Sequence, residues 1–243
     1  MTDSSDSLLE RFTGGQRRAL AEVLTEVEND TAPRPPKTDR ACRVVGITGS
    51  GGAGKSTLVG ALIKYLRQQG LKVAVLASDP QSPLSGGALL GDRIRVEFDP
   101  ADDGVFFRSY STRGAFGGLS AAIGPSLPWL VAFGFDVVLV ETVGVGQDQA
   151  AVRDVVDTLV LLVTPNTGDE VQWEKAGLIE VADLVVVNKS DLSGADRVRQ
   201  QLTSSLTLVP TDREIRILPT TATQGKGIAE LWQAVVEHHR PKD

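Results

Sequence analysis

From residue 43 onward the apolar residues fall in short continuous runs, separated by stretches whose apolar positions recur at helical spacing. The runs are 43–48 (RVVGIT), 72–78 (KVAVLAS), 136–141 (DVVLVE), 157–163 (DTLVLLV), 183–188 (DLVVVN) and 215–218 (IRIL). Most are rich in β-branched residues, and they do not alternate with polar positions. Strands of a parallel sheet behave this way when helices cover both faces. Helical patterns fall between the runs, at about 55–69, 117–133, 169–180, 194–206 and 226–239. The alternation predicts an α/β fold: a doubly wound, mostly parallel sheet with right-handed crossovers. Ligands of such sheets bind at the carboxyl ends of the strands.

The first 38 residues read differently. Residues 7–29 (SLLERFTGGQRRALAEVLTEVEN) carry helical spacing broken at Gly14-Gly15, which predicts two short helices packed on the main domain. The stretch 31–39 (TAPRPPKTD) is a Pro-rich linker that must be extended. The expected division is therefore a helical extension with its linker over 1–38 and one α/β domain over 39–243.

Composition narrows the function classes. Across 243 residues the net charge is −6, so no basic surface is evident to attract nucleic acid or an anionic membrane. The acidic start MTDSSDSLLERFTGG lacks the apolar core of a signal peptide, and no apolar run approaches the roughly 18 residues of a membrane span. A cytoplasmic protein is expected. The single cysteine, Cys42, provides neither a disulfide framework nor a thiol metal site, and reads as packing.

The segment Gly46–Thr57, GITGSGGAGKST, satisfies two nucleotide patterns. Gly49, Gly51 and Gly54 spell the dinucleotide fingerprint, while Gly49, Gly54, Lys55 and Ser56 spell the phosphate loop of nucleoside triphosphatases. The dinucleotide reading would make Asp79, at the end of the second run, a ribose ligand, but it leaves Lys55-Ser56 unused. In the phosphate-loop reading, the backbone of Gly49, Ser50, Gly51, Gly52, Ala53 and Gly54 cradles phosphates at a helix N-terminus. Lys55 reaches the β- and γ-phosphates, Ser56 ligates magnesium, and Thr57 caps the turn or touches the α-phosphate.

Asn188-Lys189-Ser190-Asp191 then selects the base. A carboxylate accepts two hydrogen bonds from guanine's N1–H and exocyclic amine, and adenine offers no such pair, so Asp191 favours guanine. Thr220-Thr221-Ala222 follows the last run like a loop whose amides contact guanine O6, which adds Thr221 and Ala222 to the candidate site. In FDVVLVETVGVGQ, Glu141 and Gly144 parallel the magnesium-orienting acid and γ-phosphate-sensing glycine of GTPases. Val145 stands where Ras-like proteins place their water-positioning Gln, so hydrolysis is expected to be slow without a partner.

Together these motifs resemble the MeaB/ArgK-type GTPases of the SIMIBI class, over roughly residues 8–235. GITGSGGAGKST, ASDPQSPLSGGALLGDRIR, FDVVLVETVGVGQ, TGDEVQ and VVVNKSD carry the resemblance, the second block most specifically. It implies a G-protein chaperone that uses GTP binding and hydrolysis to gate cofactor loading into an adenosylcobalamin-dependent acyl-CoA mutase and to protect or rescue it. It implies Lys55, Asp79, Asp92 and Glu141 as the catalytic group, with Ser56, Asp79, Asp92 and Glu141 around Mg2+. Asp169, Glu170, Gln172 and Lys175 match a mobile segment that responds to the mutase. The chain departs from the family at Trp173-Glu174 and at Tyr110, where a proline is usual. It also ends at His239-Arg240-Pro241-Lys242-Asp243 without the usual C-terminal dimerisation arm, so a family-type homodimer stays open. Arg108 and Arg113 fit charge stabilisation, partner contact or surface packing alike.

Three rival classes share the phosphate loop. Metal-delivering GTPases carry His-rich or paired-Cys stretches, whereas this chain has two histidines, His238 and His239, and one cysteine. A small-molecule kinase gains nothing from N-K-x-D. A pure GTP-binding module has no use for Lys55, Ser56, Asp79 and Glu141 together.

Overall fold

Among the described residues the six apolar runs, joined by one further strand, form a single seven-stranded sheet. The computed structural model describes residues 2–79, 99, 101–111, 119–142, 149–165, 178–206 and 215–238. The strands are β1 (Arg43–Gly49), β2 (Val73–Asp79), β3 (Val105–Ser111), β4 (Val137–Glu141), β5 (Thr158–Val163), β6 (Leu184–Val187) and β7 (Arg216–Pro219). Their spatial order is β3-β2-β4-β1-β5-β6-β7, with every pairing parallel. After β1 the chain moves toward one edge through β2 and β3, and after β4 toward the other through β5, β6 and β7. Connections thus leave the centre in opposite directions, and a crevice opens over the carboxyl ends of β1 and its neighbours.

Six strands coincide with the six apolar runs to within a residue at either end. The seventh, β3, has no counterpart among them. Its sequence VFFRSYS is interrupted by Arg108 and Ser109, the two half-exposed positions of an edge strand. The available signal was aromatic enrichment: Phe106, Phe107 and Tyr110 suit a pleated, half-buried surface.

Eight helices flank the sheet among the described residues: α1 (Thr2–Thr13), α2 (Arg17–Glu28), α3 (Lys55–Gln68), α4 (Ile123–Phe133), α5 (Gln149–Val155), α6 (Leu178–Val181), α7 (Ala195–Leu206) and α8 (Ile228–Glu237). On one face, Leu58, Leu62 and Leu66 of α3 and Leu231 of α8 cover Val45, Ile47, Val75 and Leu139. On the other, α1, α2, α4 and α5 cover the intervening positions Val44, Leu76, Val138 and Val140. The five inner strands β2, β4, β1, β5 and β6 thus bury both sides, which is why their apolar runs are continuous. Among the described residues, the predicted helix over 117–133 begins only at Ile123. The preceding residues form a turn in which the Ser120 amide donates to Ser78 Oγ at 3.0 Å.

The two N-terminal helices belong to that second core. Leu20 and Leu24 of α2 are fully buried, and Phe12 of α1 meets the Trp129 ring edge-on, centroids 5.1 Å apart. Cys42 packs half-buried against the same cluster, the packing role read from the sequence. The Tyr110 hydroxyl pairs with Ser126 Oγ at 2.6 Å, and burial pushes the phenol's pKa up. Among the described residues, no helix is long and apolar enough to cross a membrane.

Candidate functional site

Both recognition motifs lie in loops at the carboxyl ends of strands. β1 ends at Gly49, the loop turns through residues 50–54, and α3 begins at Lys55. The helix therefore presents its first-turn N–H groups, which have no intrahelical partner, to the crevice. Lys55 Nζ donates to the Gly49 and Ser50 carbonyls at 2.9 and 3.0 Å, so the ammonium lies folded over the loop. One residue into α3, Ser56 Oγ donates to Glu141 Oε1 at 2.8 Å, joining α3 to the end of β4. Both residues are buried. Asp79 closes β2 two positions beyond Ala77, the register partner of Glu141, so its backbone stands at the same edge of the sheet. Behind them Thr142 Oγ1 and Thr48 Oγ1 lie 3.2 Å apart, a buried brace between the ends of β4 and β1 that the sequence did not announce.

The base-side motif reaches back to this loop. Asn188 is buried and donates through Nδ2 to the Ala53 carbonyl at 3.0 Å. Its Oδ1 accepts from Thr220 Oγ1 at 3.1 Å and from the Ala222 amide at 3.3 Å. Lys189, at φ 55°, donates to the Gly52 carbonyl at 2.9 Å. Ser190 completes the seam: its amide donates to the Thr220 carbonyl at 3.0 Å, and its hydroxyl lies 3.1 Å from Thr221 Oγ1. Asp191 stands exposed just beyond. This seam explains the glycine at 54. At φ 93° an L side chain is strained, and a Cβ there would come within 2.6 Å of Asn188 Nδ2.

Residues 49–57, Glu141, Asn188, Lys189, Asp191, Thr221 and Ala222 thus share one crevice. Asp92, Gly144, Asp169, Glu170, Gln172, Lys175 and Arg113 lie outside the described residues, as does the side chain of Asp79. Arg108 points elsewhere. It donates to the Ala21 carbonyl at 3.0 Å, pairs with Glu28 at 3.0 Å and stacks on Tyr110, so it packs α2 onto β3. Among the described residues, no three His, Cys, Asp or Glu gather around one point. A magnesium ion in a nucleotide site needs fewer, because substrate phosphates and waters supply most of its ligands.

The wider kinship agrees with the crevice. The family model described as "Methylmalonyl Co-A mutase-associated GTPase MeaB" matches residues 20–242. A Pyrococcus horikoshii protein provisionally named a GTPase is 48% identical over 97% of this chain and 78% of its own length. The mouse protein named "Methylmalonic aciduria type A homolog, mitochondrial" is 37% identical over 98% of this chain and 64% of its own length. The crystal structure of a protein titled LAO/AO transport system kinase superposes with TM-score 0.72 at 30% identity, covering 97% of this chain and 74% of that one. The chain belongs to the MeaB family of P-loop GTPases and, like its relatives, binds and hydrolyses GTP.

Proposed function

We propose that the GTPase cycle of this chain gates cofactor loading into an adenosylcobalamin-dependent acyl-CoA mutase and protects or reactivates that enzyme. The mutase is supported by the family description and by the name of the mouse relative. The assignment of residues to GTP rests on one observation: Asn188 and Lys189 donate to Ala53 and Gly52, making the phosphate loop and the base motif one site.

Within it, amides of residues 49–54 and the start of α3 cradle the phosphates, and Thr57 closes the α-phosphate side. Lys55 leaves the loop carbonyls for the β- and γ-phosphate oxygens, whose greater negative charge outweighs two neutral acceptors. Asp191 accepts from N1–H and the exocyclic amine of guanine, and the amides of Thr221 and Ala222 face O6. The Ser56 hydroxyl and Glu141 carboxylate fit a magnesium ion: both are hard oxygen donors, buried beside the phosphate loop and already in contact. Asp79, and Asp92 by family likeness, complete that set. When bound, Mg2+ neutralises charge on the β- and γ-phosphate oxygens.

Val145 takes the position of a water-orienting glutamine, so the unaided chain hydrolyses slowly and the partner governs the rate. Gly144 reports the γ-phosphate, and Asp169, Glu170, Gln172 and Lys175 pass the state to the mutase. The decisive measurement is single-turnover GTP hydrolysis with and without an adenosylcobalamin-dependent acyl-CoA mutase. An acceleration of about tenfold or more is expected. An unchanged rate, with no nucleotide-dependent complex between the two proteins, sinks the mutase reading.

A further inference from the structure

A groove of about 620 Å³ runs from the nucleotide crevice along the outer side of α3. One wall is a helical stripe that includes Thr57, Ala61, Lys64 and Gln68. The other is the turn 222–225 with the first residue of α8. Thr57 and Ala222 belong to both groove and crevice. Thr57 lies next to the residues assigned to the phosphates, and the Ala222 amide lies at the base seam. A ribose joining an α-phosphate beside Thr57 to a guanine beside Ala222 lies between two residues that also line this groove, so the groove opens beside the sugar.

The groove's chemistry selects the group that the ribose carries into it. Among the described residues its only formal charge is the exposed Lys64, about 10 Å along the helix axis from Thr57. Side chains able to donate hydrogen bonds line the same groove: Tyr65, Gln68, Thr223 and Gln224. No aspartate or glutamate lines it among the described residues, in a chain whose net charge is −6. Its floor is kept open by small residues at 60, 61 and 225. A concave, donor-rich, acid-free groove beside a ribose suits an anion attached to that ribose.

We propose that this groove is a subsite for guanine nucleotides phosphorylated on the ribose 3′-hydroxyl, with Lys64 as the charge that recognises the added phosphate. The proposal rests on the placement of GTP in the crevice between the phosphate loop and the base motif. It makes the chain responsive to a second guanine nucleotide that occupies the GTP site and extends beyond it.

The test is calorimetric titration of the full chain with GDP, GTP and guanosine 5′-diphosphate 3′-diphosphate, repeated on Lys64→Ala. The 3′-diphosphate is expected to bind about fivefold tighter than GDP or better, which is the scale of one charge-assisted contact near the surface. Lys64→Ala should remove that gain and leave GDP and GTP within about twofold of wild type. Equal loss for GTP and for the 3′-diphosphate marks a long-range charge effect and overturns the subsite. So does binding of the 3′-diphosphate more weakly than GDP. Failure of GDP itself to bind removes the nucleotide placement as well, so the two ideas fail separately.

Discussion

At the phosphate end of the crevice, one uninterrupted stretch between β1 and α3 supplies nearly everything: loop amides, a helix N-terminus, Lys55 and Ser56. The base end is assembled from two loops 32 residues apart in sequence, held together by the side chain of Asn188. The first is a backbone device whose shape follows from glycines and a helix start. The second keeps its shape only while a buried amide satisfies three groups on two other segments. On the proposed function, charge at the first end drives binding, whereas geometry at the second end confers selectivity.

The contrast can be broken most directly at Lys55. Lys55→Ala removes the cation from the phosphates and is expected to lower GTP turnover by about 100-fold or more, with the fold intact by circular dichroism. A hydrolysis rate equal to wild type would overturn the assigned chemistry. At the base end, Asn188→Ala and Asp191→Asn should differ in kind. Asn188→Ala strands the groups it satisfied and costs about 2–3 kcal/mol of both folding stability and GTP affinity. Asp191 is exposed, so Asp191→Asn should leave stability near wild type, weaken GTP, and improve binding of a xanthine nucleotide whose C2 carbonyl accepts from the new amide. Parallel thermal unfolding and nucleotide titrations separate the two, and equal stability losses would refute the division of labour.

The smallest effect lies at the opposite end of α3. Arg67 grips Asp102 through two bonds, at 2.8 and 2.9 Å, tying the helix that starts at the phosphate loop to the turn before β3. The guanidinium foremost, then the Gly104 amide, hold the Asp102 carboxyl below the usual range. A carboxylate with a lowered folded pKa contributes stability above its unfolded pKa and loses it as pH falls through the folded one. Asp102→Asn should therefore cost about 1 kcal/mol near neutral pH, with the gap to wild type closing below about pH 4 in denaturant titrations. A gap that widens on acidification would reverse the assignment.

Legibility in the sequence divides along the same contrast. The phosphate loop, its strand and its helix are contiguous, so spacing alone located them. Asn188, Lys189 and Asp191 were legible as a motif, but the seam they form was not. The contact from Asn188 to Ala53 spans 135 residues, and no local pattern records it. The necessity of Gly54 was half visible, as a loop glycine, while the amide that would strike a Cβ there was not. β3 escaped because an edge strand tolerates Arg108 and Ser109 in its middle. Arg108 itself, open to three readings in the sequence, is taken up in packing α2.

The placement of α1 and α2 carries a consequence for how the chain is made. These helices leave the ribosome before their cover does: Leu20, Leu24 and Phe12 pack in one cluster with β3 and α4, which end at Ser111 and Phe133. About a hundred residues separate the end of α2 from the end of α4. At a synthesis rate of about 5–20 residues per second, the nascent hairpin shows its apolar stripe for roughly 5–20 s before its cover exists. Throughout that interval the hairpin is in need of shielding, and its docking must wait for a strand and helix not yet translated.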